Sequence, residues 1–306
     1  MLSKYHKKQV ARAKEIYIKG RTPEADAEDW NVALRKARQL IVNALQASDD
    51  LRDIEAALTN DGTHARIFRH VLAPTLSQDQ FALFYPDWKK GSEKEDGSKV
   101  KPASALAVAR AIRERRSTAL TPWLSSSRKP TSNELEQLFS SVGSLIANQE
   151  FATVQRNRLA RIQESAITAH LQVNGWTKLP SSLIDKRANL PLKHYMHKTR
   201  YATKEDVVTG KVETQEVDIA LGLKNTFVLA MECKVTNDVT NSIKRVNDVL
   251  KKAHAWKGHW GNFFKTAAML QGVIAEKDVV RLLDQGVEVF WSHDLSHFNR
   301  WVSKYI

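Results

Sequence analysis

Three charged side chains in the C-terminal half have the types and spacing that hydrolysis of a phosphate ester needs. Asp218 is followed, after a gap of 13 residues, by Glu232-Cys233-Lys234. Mg²⁺ binds carboxylate oxygens, usually takes one or two of them, and completes its octahedron with water and substrate phosphate. Such an ion lowers the pKa of a bound water, while a neighbouring lysine orients or deprotonates the nucleophile. We therefore predict a catalytic trio and its metal ligands: Asp218, Glu232 and Lys234, with Mg²⁺ held by both acids and the backbone carbonyl of Cys233.

The alternation of apolar and polar residues predicts that a hairpin brings these side chains together. Its strands are Glu216–Leu223 and Phe227–Val235, joined by a three-residue loop at 224–226. With this loop every apolar residue on one face finds an apolar partner. The predicted pairs are Leu223 with Phe227, Leu221 with Leu229, Ile219 with Met231 and Val217 with Cys233. A two-residue loop would set Asp218 opposite Met231, which the hydrophobic pattern rejects.

On the reverse face of the hairpin, the same register sets Asp218 opposite Glu232 and Glu216 opposite Lys234. Two acids directly opposite each other, with Cβ atoms roughly 4.5–5.5 Å apart, destabilise a sheet unless something compensates their charge. A divalent cation would do so. The alternative interpretation is an exposed sheet face on which the acids and the lysine meet solvent and form ordinary salt bridges.

The surplus of positive charge is concentrated in two stretches of the chain. The 306 residues carry 47 Lys+Arg and 34 Asp+Glu, a net charge of +13 with a pI near 9.7. Residues 151–204 hold ten basic and two acidic side chains, whereas residues 205–306 hold 13 of each. A second basic stretch runs from Lys99 to Lys129 and contains one acid, Glu114. This distribution predicts attraction of a polyanion, by default nucleic acid; for either stretch alone, a solvated helix face is the alternative.

Several classes of protein are excluded by composition and motifs. No stretch approaches the roughly 18 apolar residues that a membrane span needs, and the basic N-terminus lacks the apolar segment of a signal peptide. The single cysteine allows no internal disulfide and no zinc-finger spacing, which predicts a reducing cytoplasm. Phosphate-binding glycine loops and a G-x-S-x-G elbow are absent from the sequence. His194/His197 and His293/His297 have metal-like spacing but no cysteine or acidic partners at fixed offsets, and are interpreted as non-metal.

The pattern of elements predicts an α+β or mixed α/β fold in two domains. Residues 1–147 are predicted to form a mostly helical domain that contacts DNA and carries an exposed, charged loop at 88–103. Residues 148–306 are predicted to form a catalytic domain in which helices flank a mixed sheet. After the hairpin, the predicted elements are a helix at Asn241–Trp256, a strand at Ala267–Ile274, a helix at Lys277–Asp284 and a strand at Val287–Trp291.

A long helix is predicted over Phe151–Val173, and the Asn174-Gly175 pair that follows is predicted to end it. Its apolar residues recur at intervals of three and four and predict a buried face formed by Leu159, Ile162, Ala166, Ala169 and Val173. Arg158 and Arg161 lie on another face of this helix. The Pro- and Lys-containing stretch between the helix and the hairpin is ambiguous.

The residues around the hairpin resemble the PD-(D/E)xK nuclease fold, with Val217 where the signature has proline. The run VDIALGL…FVLAMECKVTNDVTNSIKRVNDVLKKAHAW, preceded by LTPWL…RKPT…E and QRNRLARIQESAITAHL, is similar to the XamI-like type II restriction endonucleases. The similarity covers about residues 60–260 and is most specific around the two strands. It implies Mg²⁺-dependent, sequence-specific cleavage of duplex DNA by Asp218, Glu232 and Lys234.

Further residues are assigned supporting roles. Glu164 on the long helix resembles the accessory acid that many members of the wider fold place near the metal, and Glu216 is a second candidate. The hydrogen-bond donors that follow the second strand are predicted to bind a phosphate of the DNA backbone if the next helix begins near Asn241. The predicted DNA contacts are Arg113, Arg116, Arg158, Arg161, Lys186, Arg187, Lys198, Arg200, Asn237, Asn241, Lys244 and Arg245.

The resemblance also implies partners and a setting. The substrate is double-stranded DNA, Mn²⁺ is expected to substitute for Mg²⁺, and a cognate DNA methyltransferase accompanies the enzyme in a bacterial cytoplasm. A palindromic target favours a homodimer, because two-fold DNA symmetry asks for a two-fold protein. Two other functions stay open: a non-cleaving DNA-binding or regulatory protein with a vestigial nuclease fold, and a structure-selective DNA repair nuclease.

Overall fold

The computed structural model describes residues 2–94, 96–205 and 212–306. They divide into two compact units, Pro23–Val154 and Gln155–Ile306, and the second unit also includes the N-terminal segment up to Thr22. This division differs from the predicted domains at both ends. The predicted boundary between residues 147 and 148 lies inside helix α8, Ser144–Val173, which begins in the first unit and continues into the second.

The unit Pro23–Val154 is helical, which confirms the prediction for the N-terminal half. Its core contains Ile41, Phe68 and Trp123, none of which is exposed. In the part of the chain that the structure describes, its helices before α8 are α2 (Pro23–Ala47), α3 (Ile54–Asn60), α4 (His64–His70), α5 (Gln78–Phe84), α6 (Pro102–Arg115) and α7 (Ser132–Leu138). A π-helical segment at Phe139–Gly143 joins α7 to α8 without a break.

The segment 88–103 is a packed loop of this unit, and the prediction that it is exposed is wrong in part. Apart from Glu95, which lies outside the described residues, it is irregular except for a 3₁₀ turn at Lys90–Ser92 and the start of α6. Trp88 and Val100 are buried in the helical core. The backbone N–H of Val100 also donates to the carbonyl of Leu58 at 3.1 Å. Two apolar anchors are thus enough to hold a segment whose other residues are mostly polar.

The second unit is built on a mixed sheet that has seven strands in the described residues. The strand order is β1-β3-β4-β5-β6-β7, and β2 also pairs with β3. The β3–β4 and β4–β5 pairs are antiparallel, and the others are parallel. The strands are β1 (Thr177–Lys178), β2 (Leu183–Ile184), β3 (His194–Glu205), β4 (Val212–Gly222), β5 (Val228–Thr236), β6 (Phe264–Gly272) and β7 (Val287–Trp291).

Helices cover both faces of this sheet. On one face, α8 and α11 (Leu295–Val302) contribute Ile167 and Phe298 to an apolar cluster with β4 and β5. On the other face lie α1 (Lys4–Lys19), α9 (Val239–Trp260) and α10 (Glu276–Asp284). The central strand β5 is buried along its whole length for this reason. The predicted class, a mixed α/β fold with a helical N-terminal half, is confirmed. No helix in the described ranges is long and apolar enough to cross a membrane.

Helix α1 belongs to this unit because it packs beside β6 and β7. Leu2 and Ala13 are buried in the cluster that also holds α9 and α10. The hydroxyl of Tyr5 donates to Asp294 at 2.9 Å, and the indole N–H of Trp291 points at Nδ1 of His6 at 3.2 Å.

The β4–β5 hairpin has the predicted register as far as its ladder extends. Ile219 pairs with Met231, Leu221 pairs with Leu229, and a 3₁₀ turn at Lys224–Thr226 forms the connection. The ladder ends at the Ile219–Met231 pair. The two predicted pairs on the reverse face, Asp218 with Glu232 and Glu216 with Lys234, therefore lie beyond the end of this ladder. Their members are not ladder partners.

The prediction that Val217 shares a face with Ile219 is wrong. Val217 packs with Ala220 in the cluster under α9, while Ile219 packs in the cluster under α8. Residues 217 and 220 cannot share a face in a regularly alternating strand. The alternation of β4 is therefore interrupted at Asp218.

Strand β3 changes face at the same level. Tyr195 packs under α8, whereas Tyr201, which regular alternation would set on the same face, packs under α9. Between them Lys198 has φ of 54°, in the left-handed region that a strand residue rarely adopts. The interruption thus spans two neighbouring strands, at Lys198 and Asp218.

Candidate active site

Asp218 lies where β4 parts from β5. Its Oδ2 accepts a hydrogen bond from the backbone N–H of Cys233 at 2.7 Å, and its Oδ1 accepts one from Nζ of Lys198 at 2.9 Å. Burial favours the neutral acid, but the charges of Lys234 and Lys198 and the bond from Cys233 outweigh it, so the pKa of Asp218 is lowered. Asp218 is consequently an ionised carboxylate at neutral pH.

Glu232 is fully buried on β5, and one of its carboxylate oxygens accepts hydrogen bonds from two lysines. Its Oε2 accepts from Nζ of Lys234 at 2.7 Å and from Nζ of Lys252 at 2.8 Å. Its Oε1 is buried without a hydrogen-bond partner. Burial raises the pKa of Glu232, the charge of Asp218 adds to this effect, and the lysines offset it only in part.

Lys234 lies between two acids. Its Nζ is 2.7 Å from Oε2 of Glu232 and 3.0 Å from Oδ2 of Asp248 on α9. Burial acts to lower its pKa, but the charges of Glu232 and Asp218 raise it above the usual lysine value. Lys234 is therefore an ammonium group, suited to donating hydrogen bonds and stabilising negative charge rather than to accepting a proton.

Glu164 approaches the same place from α8. Its side chain is 7% exposed; Oε1 accepts from Nζ of Lys198 at 2.6 Å, and Oε2 lies 2.8 Å from Nε2 of His197. Lys198 thus connects Glu164 directly to Asp218. The acid that the sequence suggested as an accessory group lies beside the predicted trio.

The buried face of α8 is not the predicted one. Ile162 and Val173 are 55% and 87% exposed, while Gln163 and Glu164 are buried together with Ile167 and Leu171. The amide of Gln163 donates to the carbonyl of Met269 at 2.9 Å. Apolar periodicity failed here because this helix turns polar groups toward the sheet, where specific partners satisfy them.

Three contact residues were missed by reasoning from the sequence: His197, Asp248 and Lys252. Asp248 and Lys252 are four residues apart on α9 and thus share one side of it, next to the buried residues Val249 and Ala253. In the sequence, this pair of opposite charges beside a row of apolar residues is the pattern from which Asp248 and Lys252 could have been predicted. His197 lies on β3, a strand that the ambiguous stretch concealed.

A cleft of about 440 Å³ opens beside Asp218. It is lined by hydroxyl groups and by cationic side chains, among them Ser181, Ser182, Thr199, Lys198, Arg200 and Lys252. Hydroxyl and ammonium groups are the donors that proteins present to phosphate oxygens. Glu216 also lines the cleft, where it pairs with Arg200 at 2.6 Å.

The acids of this site fit a divalent cation of the Mg²⁺ type. Asp218 is ionised, and Glu232 keeps one oxygen without a partner. Two carboxylates are a usual protein share of a Mg²⁺ shell. Within the described ranges, no group of three or more His, Cys, Asp or Glu side chains is arranged to hold a metal ion. Cys233 contributes its backbone N–H to Asp218, and its thiol packs into the core under α8.

The other predicted DNA contacts, except Arg113 and Arg116, lie in the unit that contains the sheet. Arg158 and Arg161 are exposed on α8, Lys186 is exposed, and Arg187 stacks on Phe263 with its Cζ 4.0 Å from the ring centroid. Asn237, Asn241 and Lys244 are exposed at the beginning of α9, and Arg245 is half-buried. Arg113 and Arg116 belong to the helical unit, where Arg116 donates to Ser125 at 2.9 Å.

The N-terminus of α9 is capped by an acid. The helix begins at Val239, two residues before Asn241, and Asp238 accepts from the backbone N–H of Asn241 at 2.8 Å and from its side chain at 2.6 Å. The carboxylate of Asp238 thus takes the N–H of Asn241, and the grip of these donors on a backbone phosphate stays a prediction.

The sheet is mixed and flanked by helices, and two acids and a lysine lie where two of its strands part. This arrangement agrees with the class that the sequence resembles, the restriction endonucleases. The chain matches the XamI restriction endonuclease family over residues 49–291 and belongs to it. The resemblance seen in the sequence is confirmed.

One relative and one solved structure illustrate the range of similarity. The type II restriction enzyme XamI of Xanthomonas campestris pv. amaranthicola is 28% identical over 141 residues, which cover 46% of this chain and 48% of the relative. The match thus spans about half the length of that relative. Protein VC1899 from Vibrio cholerae aligns with a TM-score of 0.32 and 14% identity over 92% of this chain and 57% of that one.

Proposed function

We propose that this chain is a type II restriction endonuclease that hydrolyses double-stranded DNA at a specific short sequence in a Mg²⁺-dependent reaction. The observation that carries the proposal is the grouping of Asp218, Glu232 and Lys234, of which Asp218 lines a cleft that also presents cations and hydroxyls. Membership of the restriction endonuclease family supports the same reaction. The setting is a bacterial cytoplasm, with a cognate methyltransferase as companion and a homodimer as the form that reads a palindrome.

The roles of the residues follow from their contacts. Asp218 and the unpartnered Oε1 of Glu232 would hold Mg²⁺, with the carbonyl of Cys233 as a further ligand. The ion supplies a water of lowered pKa and charge stabilisation at the phosphate; Mn²⁺ is expected to substitute. Lys234, held as an ammonium between Glu232 and Asp248, donates to the attacking water or to the phosphate. Glu164 acts as an accessory acid next to Asp218.

The test is plasmid cleavage with Mg²⁺ and with EDTA. We expect discrete fragments with Mg²⁺ and none with EDTA. Asp218→Asn and Lys234→Ala should each lower the cleavage rate by at least about 100-fold, since each removes a charge aimed at the reacting centre. Asp284→Asn, an exposed acid at the end of α10, serves as the matched control and should cut at the parent rate.

Each alternative predicts a different result. General degradation or cutting confined to branched DNA would indicate a repair nuclease. Binding without breakage would indicate a regulatory protein. If Asp218→Asn or Lys234→Ala cuts as fast as the parent, the site assignment is wrong even though the protein is a nuclease.

A further inference from the structure

Lys198 holds together two acids that arrive from different elements. Its Nζ lies 2.6 Å from Oε1 of Glu164 on α8 and 2.9 Å from Oδ1 of Asp218 on β4. The remaining oxygens of these acids are engaged as well, one near His197 and one by the N–H of Cys233. The ammonium group therefore supplies the positive charge at the point where both carboxylates meet.

The side chain of Lys198 is exposed to solvent although its head group is paired. It is 56% exposed and lines the cleft of about 440 Å³. The two other lysines of the site are enclosed, with 10% exposure for Lys234 and 17% for Lys252. Lys198 alone among these three can swing its ammonium group into the cleft without unpacking the core, since a lysine stem is flexible.

An ammonium group and a divalent cation compete for the carboxylate of Asp218. A cation such as Mg²⁺ sits about 2.0–2.1 Å from its carboxylate ligands, whereas Nζ of Lys198 already lies 2.9 Å from Oδ1 of Asp218, an acid proposed to hold the cation. Two cations at one carboxylate repel each other strongly in a partly buried site. Occupation by one therefore requires departure of the other.

We propose that Lys198 is an exchangeable internal counter-ion of the catalytic acids, displaced by the divalent cation and released into the cleft to neutralise a DNA phosphate. Lys198 is thus a positioning residue that links cation loading to DNA binding, and not a constant DNA contact. By linkage the coupling is reciprocal, so a phosphate that attracts Lys198 also strengthens cation binding. The inference rests on the proposed function in treating Asp218 as a cation ligand.

Cation affinity of the full chain without DNA provides the first test. Mn²⁺ binding is measured by titration calorimetry for the parent, Lys198→Met and Lys198→Arg. Lys198→Met should bind Mn²⁺ on the order of tenfold more tightly, because the competing charge is gone. Lys198→Arg keeps the charge and should bind no more tightly than the parent. Equal or weaker binding by Lys198→Met would overturn the proposal.

Arg200 provides the matched control for charge in the cleft. It lines the same cleft and is 59% exposed, but it pairs with Glu216 instead of with Glu164 or Asp218. Arg200→Gln should therefore leave Mn²⁺ affinity at the parent value. An equal gain in Arg200→Gln would show a general charge effect and contradict the specific role of Lys198.

A second readout follows DNA binding without cleavage. Binding of a short duplex is measured by fluorescence anisotropy with and without Ca²⁺. The parent should bind DNA more tightly with Ca²⁺, and Lys198→Met should lose most of this enhancement. An undiminished enhancement would show that Lys198 does not link the two events.

Asp218→Asn separates this inference from the proposed function. In the Lys198→Met background it should abolish the gain in Mn²⁺ affinity; if the gain persists, the ion binds elsewhere and the inference fails. Failure of the proposed function instead appears in the plasmid assay, as absence of cleavage by the parent.

Discussion

At the scale of single residues, the site is a set of buried acids neutralised by lysines. Glu232 has no exposed side-chain surface, and an isolated buried carboxylate is strongly disfavoured. Two lysines on one of its oxygens offset that cost, while the other oxygen stays without a partner. Such an arrangement is poor for stability alone, because a buried acceptor without a donor costs about 1–3 kcal/mol. It is suited to a carboxylate that binds a cation.

Asp248 is predicted to position Lys234 for the reaction. Asp248→Asn removes one of the two acids that hold the Lys234 ammonium group, at 3.0 Å. We expect kcat for plasmid cleavage to fall about tenfold, equivalent to roughly 1.4 kcal/mol of transition-state stabilisation. The affinity for DNA should not change.

Steady-state kinetics and DNA binding in Ca²⁺ distinguish this role from a structural one. Lys251→Gln alters an exposed charge on the same helix and should retain the parent kcat. Asp248→Glu should recover part of the lost rate. A loss confined to KM would contradict a positioning role.

At the scale of elements, the site exists because two strands interrupt their alternation together. The β4–β5 ladder ends at Ile219–Met231, and beyond it the N–H of Cys233 donates to the side chain of Asp218. Opposite Asp218, Lys198 has a left-handed backbone that costs on the order of 1 kcal/mol. The interruption turns Asp218 and Lys198 toward each other and Lys198 toward Glu164, as the two contacts of Lys198 show.

Gly222 is predicted to be indispensable for the hairpin that carries Asp218. A Cβ at this position would lie 2.0 Å from the carbonyl oxygen of Pro191 and 2.4 Å from that of Leu190. Because both atoms are backbone, relief requires the chain to move, and Gly222→Ala should lower the free energy of unfolding by at least about 2 kcal/mol. Urea denaturation measures the change.

Gly258 is the matched control, since a Cβ there meets nothing within 4 Å on helix α9. Gly258→Ala should raise the free energy of unfolding by about 0.5–1 kcal/mol, because alanine loses less backbone entropy in a helix. Equal stability of Gly222→Ala and the parent would show that the contact of Gly222 with the 190–191 backbone is not restrictive.

At the scale of the whole molecule, the surplus of basic residues and the acids Asp218 and Glu232 lie in different segments of the chain. Residues 151–204 hold ten basic and two acidic side chains, and they include the exposed arginines of α8 and two cations of the cleft, Lys198 and Arg200. The strands that bear Asp218 and Glu232 belong to a neutral segment, so their acids are neutralised by specific contacts with Lys198, Lys234 and Lys252. The proposed attraction of DNA and the organisation of the acids thus depend on largely different residues, and Lys198 belongs to both sets.

Arg158 and Arg161 are predicted to contact the DNA backbone. Replacing both with Gln should reduce the slope of log affinity against log salt by up to about 2, since each phosphate contact contributes roughly 0.9. Fluorescence anisotropy of a duplex in Ca²⁺ at several salt concentrations measures the slope. Lys277→Gln with Lys304→Gln, exposed lysines of the neutral segment, form the control and should leave it unchanged. An unchanged slope in the arginine variant would show that α8 does not touch the backbone.

The sequence by itself determined the helical first half, the mixed α/β class, the family and the β4–β5 register. The elements depend on local periodicity, and the register depends on apolar pairs such as Leu221 with Leu229, which the alternation of the two strands already specifies. It also singled out Asp218, Glu232 and Lys234 by type and spacing. It missed β3, however, because HYMHKTRYATKE has no clean alternation and its face changes at Lys198.

Only the tertiary structure decided which charges meet. It joined Lys198 to Glu164 and Asp218, and it brought Asp248 and Lys252 of α9 to the acid and lysine of β5. It also overturned the buried face predicted for α8, where Glu164 and Gln163 point inward in place of Ile162. The physical reason is that burial of a charged group is favourable only with specific partners. Those partners lie on elements that are distant in the chain, so no local pattern could reveal them.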